Sequence, residues 1–338
     1  LTEHTVVVEF NDLPALEAAL KQGDVACVLA EPVMTNIGMV LPEPGFWAAA
    51  QALIQQHGAL LVMDETHTIS TGPGGYARAH GIQADALVLG KPVGGGVPCA
   101  VYGMSASLAQ RAMLAKQDAP PGHSGIGTTL TGNMLAMAAM RAALTEVMTP
   151  DAYAHMLTQA QALANGLLGV IQKHQLPWCV TQVGARTEFQ FCASPPRNGS
   201  EADGVLDGEL EHLIHLGLLN RGILITPFHN MMLVCPQTTP AHVAQLLDAL
   251  DAVLGEITTA VRDTKTDAGA VKAGDTIGLV RGDGVVAIAP DVFECATALL
   301  KHIVTDNREL LTIIVGVDAT ADTTERIVAW AGEHFPAV

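Results

Sequence analysis

The chain has 338 residues, of which 49% are hydrophobic and 15% charged, which is enough apolar material for two domains and a small third unit and excludes a disordered chain. Its formal net charge is −17, and no Lys/Arg-rich stripe exists to neutralise phosphates, so a nucleic-acid partner is excluded. The cysteines, Cys27, Cys99, Cys179, Cys192, Cys235 and Cys295, are dispersed with no C-x-x-C pair, and no Cys/His cluster has zinc-ligand spacing. Free thiols in a reducing compartment and no metal are expected. With no apolar run of membrane-spanning length and no signal-peptide pattern, a soluble, cytoplasmic protein without a membrane partner is expected.

The chain opens on Leu1 and runs at once into the apolar segment Val6–Phe10, read as a strand of a domain with a portion upstream. Leu13–Lys21 reads as a helix capped by Asn11 or Asp12. Ala26–Ala30 is a second strand, ending at Glu31-Pro32; Gly45–His57 is helical. Ala59–Met63 is a strand ending at Asp64-Glu65, and Ala86–Leu89 one ending at Gly90-Lys91. These strands are apolar on both faces, as in a parallel sheet covered by helices, and the βαβ rhythm predicts a doubly wound, mostly parallel α/β domain.

Ala100–Met104 follows as a strand, Ser105–Lys116 as a helix, residues 118–127 as a Gly/Pro-rich loop and Asn133–Met148 as a helix whose Met134, Met137 and Met140 read as core filler. Residues 149–262 read as a small α+β domain, with helices Ala152–His174, Glu209–Arg221 and Thr239–Thr259. Its strands are Val180–Val183, Glu188–Cys192, Ile223–Thr226 and Met231–Cys235. A polar linker over 263–273 leads to a short α/β tail over 274–338. The tail has strands Asp275–Val280, Val285–Ile288 and Leu310–Val315, and helices Val292–Ile303 and Thr323–His334.

Polar residues collect just past three strand ends: Glu31, Asp64, Glu65 and Lys91. That edge of an open α/β sheet is where ligands bind. Pyridoxal phosphate needs an amine to hold its aldehyde and a carboxylate to keep its ring nitrogen protonated. Lys91 and Asp64 are candidates for those two roles, with Gly94-Gly95-Gly96 allowing close backbone approach. A P-loop is excluded because Pro92 follows Lys91 and no glycine precedes it at the required spacing; a dinucleotide fingerprint is excluded because Gly72-Pro73-Gly74-Gly75 does not directly follow a strand.

The motifs Glu31-Pro32-Val33-Met34-Thr35-Asn36-Ile37-Gly38, Asp64-Glu65-Thr66, Leu89-Gly90-Lys91-Pro92-Val93-Gly94-Gly95-Gly96 and Gly127-Thr128-Thr129-Leu130-Thr131-Gly132-Asn133 come in this order. Over roughly residues 1–260 the chain resembles the class III (subgroup II) aminotransferases of fold type I, on the branch of glutamate-1-semialdehyde aminomutase. The resemblance implies that Lys91 is the Schiff-base and proton-transfer lysine and that Asp64 pairs with the pyridinium nitrogen. It further implies that Asn36 lies by the ring's phenolic oxygen, that Thr66 packs on the ring face and that Glu31 belongs to the cofactor site. Thr129 then reaches the phosphate of the neighbouring protomer's cofactor, so a homodimer with shared sites is implied. His67 and Arg186 are the candidate substrate contacts. The reaction implied moves an amino group from a small amino donor to a keto or aldehyde acceptor; a 2,1-aminomutase and a fragment without catalysis remain alternatives. The family's upstream phosphate loop and ring-stacking aromatic have no counterpart in this sequence, and Thr66-His67-Thr68 departs from its commoner pattern. Ala273-Gly274-Asp275-Thr276-Ile277-Gly278-Leu279-Val280 and Glu309–Gly316 resemble the carboxy-terminal region of the dihydroxyacetone-kinase-like/fatty-acid-kinase family.

Overall fold

Several helices begin where the sequence supplies a side chain to cap them. The Asp12 carboxylate accepts from the Ala15 amide at 2.9 Å and starts α1 (Leu13–Leu20). α2 (Phe46–Gln56) and the short α3 (Gly75–Ala79) follow. Ser105 caps α4 (Ala106–Gln117), Asn133 caps α5 (Met134–Ala142), and Thr149 with Pro150 opens α6 (Pro150–Lys173). This computed structural model describes residues 2–120, 127, 129–226, 229–256, 264–266, 268–272, 274–280, 284–304 and 320–336.

The first sheet runs β1 (Cys27–Ala30), β2 (Leu60–Asp64), β3 (Ala86–Leu89) and β4 (Val101–Met104) in spatial order. The first two pairings are parallel and the last antiparallel, and Asp64 stands opposite Val88. Leu61 and Met63 point to one face, where Leu16, Leu20, Phe46, Trp47, Ala50 and Ile54 close the core over them. The sequence predicts strands covered on both faces, but Leu29 of β1 is 67% exposed. The described residues cover this sheet with helices on one face more fully than on the other.

The second sheet is antiparallel, in the order β5 (Cys179–Val183), β6 (Arg186–Gln190), β7 (Met231–Leu233). α6 buries Met156, Ala160, Leu163, Leu167 and Ile171, at three- and four-residue spacing, and packs that apolar stripe on β5 and β6. α7 (Gly199–Asp203), α8 (Gly208–Leu219) and α9 (Pro240–Glu256) complete this stretch of chain.

Two compact units result. One comprises Leu1–Asp207 with Gly222–Asp248, the other Gly208–Arg221 with Ala249–Val338. The second contains a hairpin of β8 (Thr264–Thr266) and β9 (Gly269–Val271), and a second antiparallel pair, β10 (Thr276–Val280) and β11 (Gly284–Ala289). α10 (Val292–Ile303) and α11 (Ala321–His334) bury Leu300 against Ile327 and Ala331. The expected strand Leu310–Val315 and the motif Glu309–Gly316 lie outside the described residues.

Four expectations need correction. Val6–Phe10 is not a strand: Val7 is 91% exposed, while Val8 and Phe10 pack against the core as side chains of a loop. Ile223–Thr226 is also irregular, so the second sheet has three strands among the described residues. Within 263–273, read as linker, β8 and β9 pair as a hairpin. On α5, Met134 is 83% exposed and Met137 50%, so neither is core filler in this chain. Among the described residues no helix is long and apolar enough to cross a membrane.

Candidate active site

The carboxyl ends of β1, β2 and β3 open on one edge, and each delivers a polar residue there. Glu31 follows β1, Asp64 is the last residue of β2, and Lys91 stands two residues beyond β3 in a 3-10 turn over Lys91–Gly94. Lys91 has a φ of 47°, a left-handed conformation uncommon outside glycine. Its side chain is exposed and its Nζ meets Nε2 of His67.

The segment 64–77 is built around carboxylates. Asp64 Oδ1 accepts from the Thr66 amide at 2.9 Å, and Thr66 Oγ1 accepts from the Gly90 amide at 3.0 Å. Glu65 turns the other way and is fully buried. It accepts from the Thr68 hydroxyl and from the Tyr76 and Ala77 amides at the start of α3. Glu65 therefore organises the loop, and Asp64 is the carboxylate left at the sheet edge.

His67 lies between two strand ends. Its Nδ1 contacts Thr35 Oγ1 and stands 3.8 Å from Glu31 Oε2, and Thr35 also donates to Glu31. Burial, with the positive charges of Arg186 and Lys91, holds the imidazole down from 6.5 to about 4, against the opposing effect of Asp64. Burial raises the Glu31 carboxyl above its ordinary value, and the nearby Asp64 adds to this; the Thr35 hydrogen bond and the charges of Lys91 and Arg186 work in the opposite direction.

Arg186 reaches this cluster because the β5–β6 turn presses on the loop after His67. The Ala185 amide donates to the Ser70 carbonyl at 3.2 Å. A Cβ on Gly184 would come within 2.4 Å of the Thr71 Cα, so only glycine allows this approach. Arg186 is buried; its Nε donates to the His67 carbonyl at 3.1 Å and its Nη1 to Met231 Sδ at 3.3 Å. Burial lowers its guanidinium from the usual value, opposed by Glu31 and Glu188. Two residues along β6, and hence on the same face, Glu188 bonds His229 Nδ1 at 2.9 Å, and its Oε2 has no hydrogen-bond partner among the described residues.

Glu31, Asp64, His67 and Lys91 thus come together, with Arg186 against the backbone of His67. Asn36 is exposed on the loop directly after Thr35, and Thr129 is exposed ahead of α5. Sequence reasoning missed Thr35, Glu188 and His229. The only local trace of Thr35 is its placement four residues after Glu31.

The residues present fit pyridoxal phosphate on the two counts this chain can meet. Lys91 offers an accessible amine, and Asp64 commits Oδ1 to Thr66 while no hydrogen bond among the described residues takes Oδ2. A parallel sheet edge that presents a carboxylate and a lysine from successive strands defines the fold-type-I architecture of pyridoxal-phosphate enzymes. More narrowly, this chain belongs to the aminotransferase class-III family, whose sequence model matches residues 3–254.

Residues 237–338 match a second family, the carboxy-terminal region of the fatty-acid-kinase-A-like proteins. Glutamate-1-semialdehyde 2,1-aminomutase of Acidovorax ebreus is 37% identical over 67% of this chain and 52% of its own length. That of Neisseria gonorrhoeae is 31% identical over 76% and 58%. The structure of a glutamate-1-semialdehyde-aminomutase from Pseudomonas aeruginosa PAO1 superposes with a TM-score of 0.73 at 50% identity, covering 75% of this chain and 57% of that one. A β-phenylalanine aminotransferase from Variovorax paradoxus gives 0.66 at 30% identity, covering 74% and 57%. The chain thus spans little more than half the length of the relatives it matches.

Proposed function

We propose that this chain serves a pyridoxal-phosphate-dependent amino transfer between a small amino donor and a keto or aldehyde acceptor, with Lys91 as the reacting amine. The observation that carries this reading is the delivery of Lys91 and Asp64 from adjacent strand ends, one amine and one carboxylate on the same edge. When bound, the cofactor supplies a carbonyl for amine capture and a ring that accepts electrons. The chain's own residues do the rest. Lys91 Nζ takes and returns the substrate's proton. The Asp64 carboxylate holds a proton at the ring nitrogen by opposite charge. Thr66 keeps the Lys91 turn against β2 through Gly90. Asn36 is assigned to the phenolic oxygen, and Arg186, a buried cation, to the substrate's carboxylate.

Residues 1–148 act in this reading as the cofactor-binding part, 149–262 as the small domain, and 274–338 as an appended unit. A homodimer is part of it: Leu130, Met134, Leu135 and Met137 present an apolar surface around α5, next to Thr129, which then reaches the partner's cofactor phosphate. The compartment assigned is the cytoplasm.

Borohydride treatment of cofactor-loaded protein should fix the cofactor to the peptide containing Lys91, and Lys91→Ala should abolish this; labelling of a different lysine would reject the assignment. A second reading, intramolecular 2,1-aminomutation, is favoured by the 50% identity to the Pseudomonas aeruginosa aminomutase. Turnover of glutamate 1-semialdehyde without an added amino donor would select it, whereas dependence on a separate donor would select transfer.

A further inference from the structure

We propose that His229 and Glu188 are positioning residues for Arg186: His229 holds the Glu188 carboxylate away from the guanidinium, which keeps that cation open to a substrate carboxylate. The proposal deepens the reading of Arg186 as the carboxylate contact and rests on it.

β6 lays one polar face on the loops that carry the site. Arg186, Glu188 and Gln190 alternate along the strand and so share that face. Arg186 Nε donates to the His67 carbonyl, on the loop after β2. Gln190 reaches the loop after β1, where a Cβ on Gly38 would come within 2.5 Å of its Nε2. Glu188 lies between them. All three are buried, as is His229. The other face of the strand turns to α6, where the Thr187 hydroxyl donates to the Ala160 carbonyl.

Residues two apart on a strand are separated by about 7 Å, well within reach of an ion pair between an arginine and a glutamate. None closes here. Among the described residues Arg186 bonds a carbonyl and a thioether, His67 O and Met231 Sδ, and no carboxylate. Glu188 bonds His229 Nδ1 through Oε1 at 2.9 Å and leaves Oε2 without a partner. Its neighbours across the sheet offer that oxygen no side-chain donor. Thr181, opposite on β5, turns its hydroxyl to Gln190, and Met231, opposite on β7, has none to give. A pair placed for stability alone would join the two buried charges, because each is costly unpaired. Here the guanidinium leans to the His67 loop and the carboxylate leans to the imidazole.

That separation has a use. The negative charges of Glu31 and Glu188 favour the Arg186 cation from a distance against the cost of its burial. Its Nη2 takes no hydrogen bond among the described residues, so a donor remains for an incoming carboxylate. Without the His229 hydrogen bond, both Glu188 oxygens would lack a donor, and Arg186 is the cation on the same face. Closure of that pair would occupy the guanidinium and exclude the substrate. Without Glu188 the guanidinium would attract a carboxylate more strongly, because a neighbouring negative charge is gone.

The test reads carboxylate binding in cofactor-free protein. Isotope-labelled butyrate, followed by NMR, carries a carboxylate but neither an amine nor a carbonyl able to capture Lys91; butyramide is the neutral control. Wild type should bind butyrate in preference to butyramide. His229→Phe keeps a ring and removes the donor, and should weaken butyrate binding roughly tenfold. Glu188→Gln is isosteric, still accepts from His229, and should tighten binding roughly threefold. The double variant should bind as Glu188→Gln does, since the imidazole then has no carboxylate to hold back. A general loosening of the site would weaken all three. Unchanged binding in His229→Phe, weaker binding in Glu188→Gln, or a double variant as weak as His229→Phe would overturn the proposal. If His229→Phe fails to fold, the direction of change in Glu188→Gln decides. Arg186→Gln judges the underlying assignment separately: butyrate binding retained in that variant, or absent from wild type, would reject Arg186 as the carboxylate contact and the proposal with it.

Discussion

Thr66 Oγ1 takes the Gly90 amide proton at 3.0 Å, so the residue two past Asp64 fastens the residue just before Lys91. Thr66→Val keeps the shape and removes the acceptor. A partly buried amide left without a partner costs about 1–3 kcal/mol. The urea midpoint should fall accordingly, and cofactor retention should fall with it because the Lys91 turn is released. An unchanged midpoint would show that the bond contributes nothing.

Gly75 should not tolerate alanine. Its φ is +72°, and a Cβ would lie 2.5 Å from Glu65 Oε2, a fully buried atom in a carboxylate held by three donors. Neither partner can give way without breaking the start of α3. Gly75→Ala should destabilise the fold by roughly 2–4 kcal/mol, read as a lower thermal midpoint.

His67 makes stability depend on pH with a definite sign. Its folded-state value is depressed, from 6.5 to about 4, so the native chain binds fewer protons there than the unfolded one. The neutral ring is what the fold accommodates, so this site weakens the fold progressively as pH falls from 6.5 through about 4 and leaves it unaffected above 6.5. The depression corresponds to at most about 3 kcal/mol, and solvent screening reduces that to about 1–2 kcal/mol. Urea midpoints of wild type and His67→Gln, measured from pH 7 to 4, should show wild type losing more stability than the variant over that range. Parallel curves would contradict the assignment.

Leu135 is 69% exposed on α5, amid the apolar surface proposed to meet a second copy. Leu135→Glu should shift the protein to monomer in sedimentation at micromolar concentration, because burying an unpaired carboxylate costs several kcal/mol. Secondary structure should survive, since the side chain contributes little to the core of its own chain. A dimer of undiminished affinity would place the interface elsewhere.

Local signals were readable where local physics decides. Of the two caps expected for α1, Asp12 is the one used, and Ala86–Leu89 and Val292–Ile303 have the bounds expected from their patterns. Val6–Phe10 has the composition of a strand but no ladder to join among the described residues, and pairing is a non-local property. Met134 and Met137 have helical spacing, yet spacing alone does not tell a core from a surface that awaits a partner. Of the candidate site, the placement of Lys91 and Asp64 at the strand ends is legible because a charged residue at the end of an apolar strand stands out. Thr35 was not: its contact with His67 joins positions 32 residues apart, and nothing in either neighbourhood announces it.

The backbone at Lys91 resists the conformation it is held in. A left-handed residue with a Cβ costs about 1–2 kcal/mol, a cost that glycine escapes. Lys91→Gly should therefore be more stable to heat than Lys91→Ala, although both variants lack the amine. Chemistry and durability pull in opposite directions at this one position, and a screen that rewarded only heat resistance would discard the lysine.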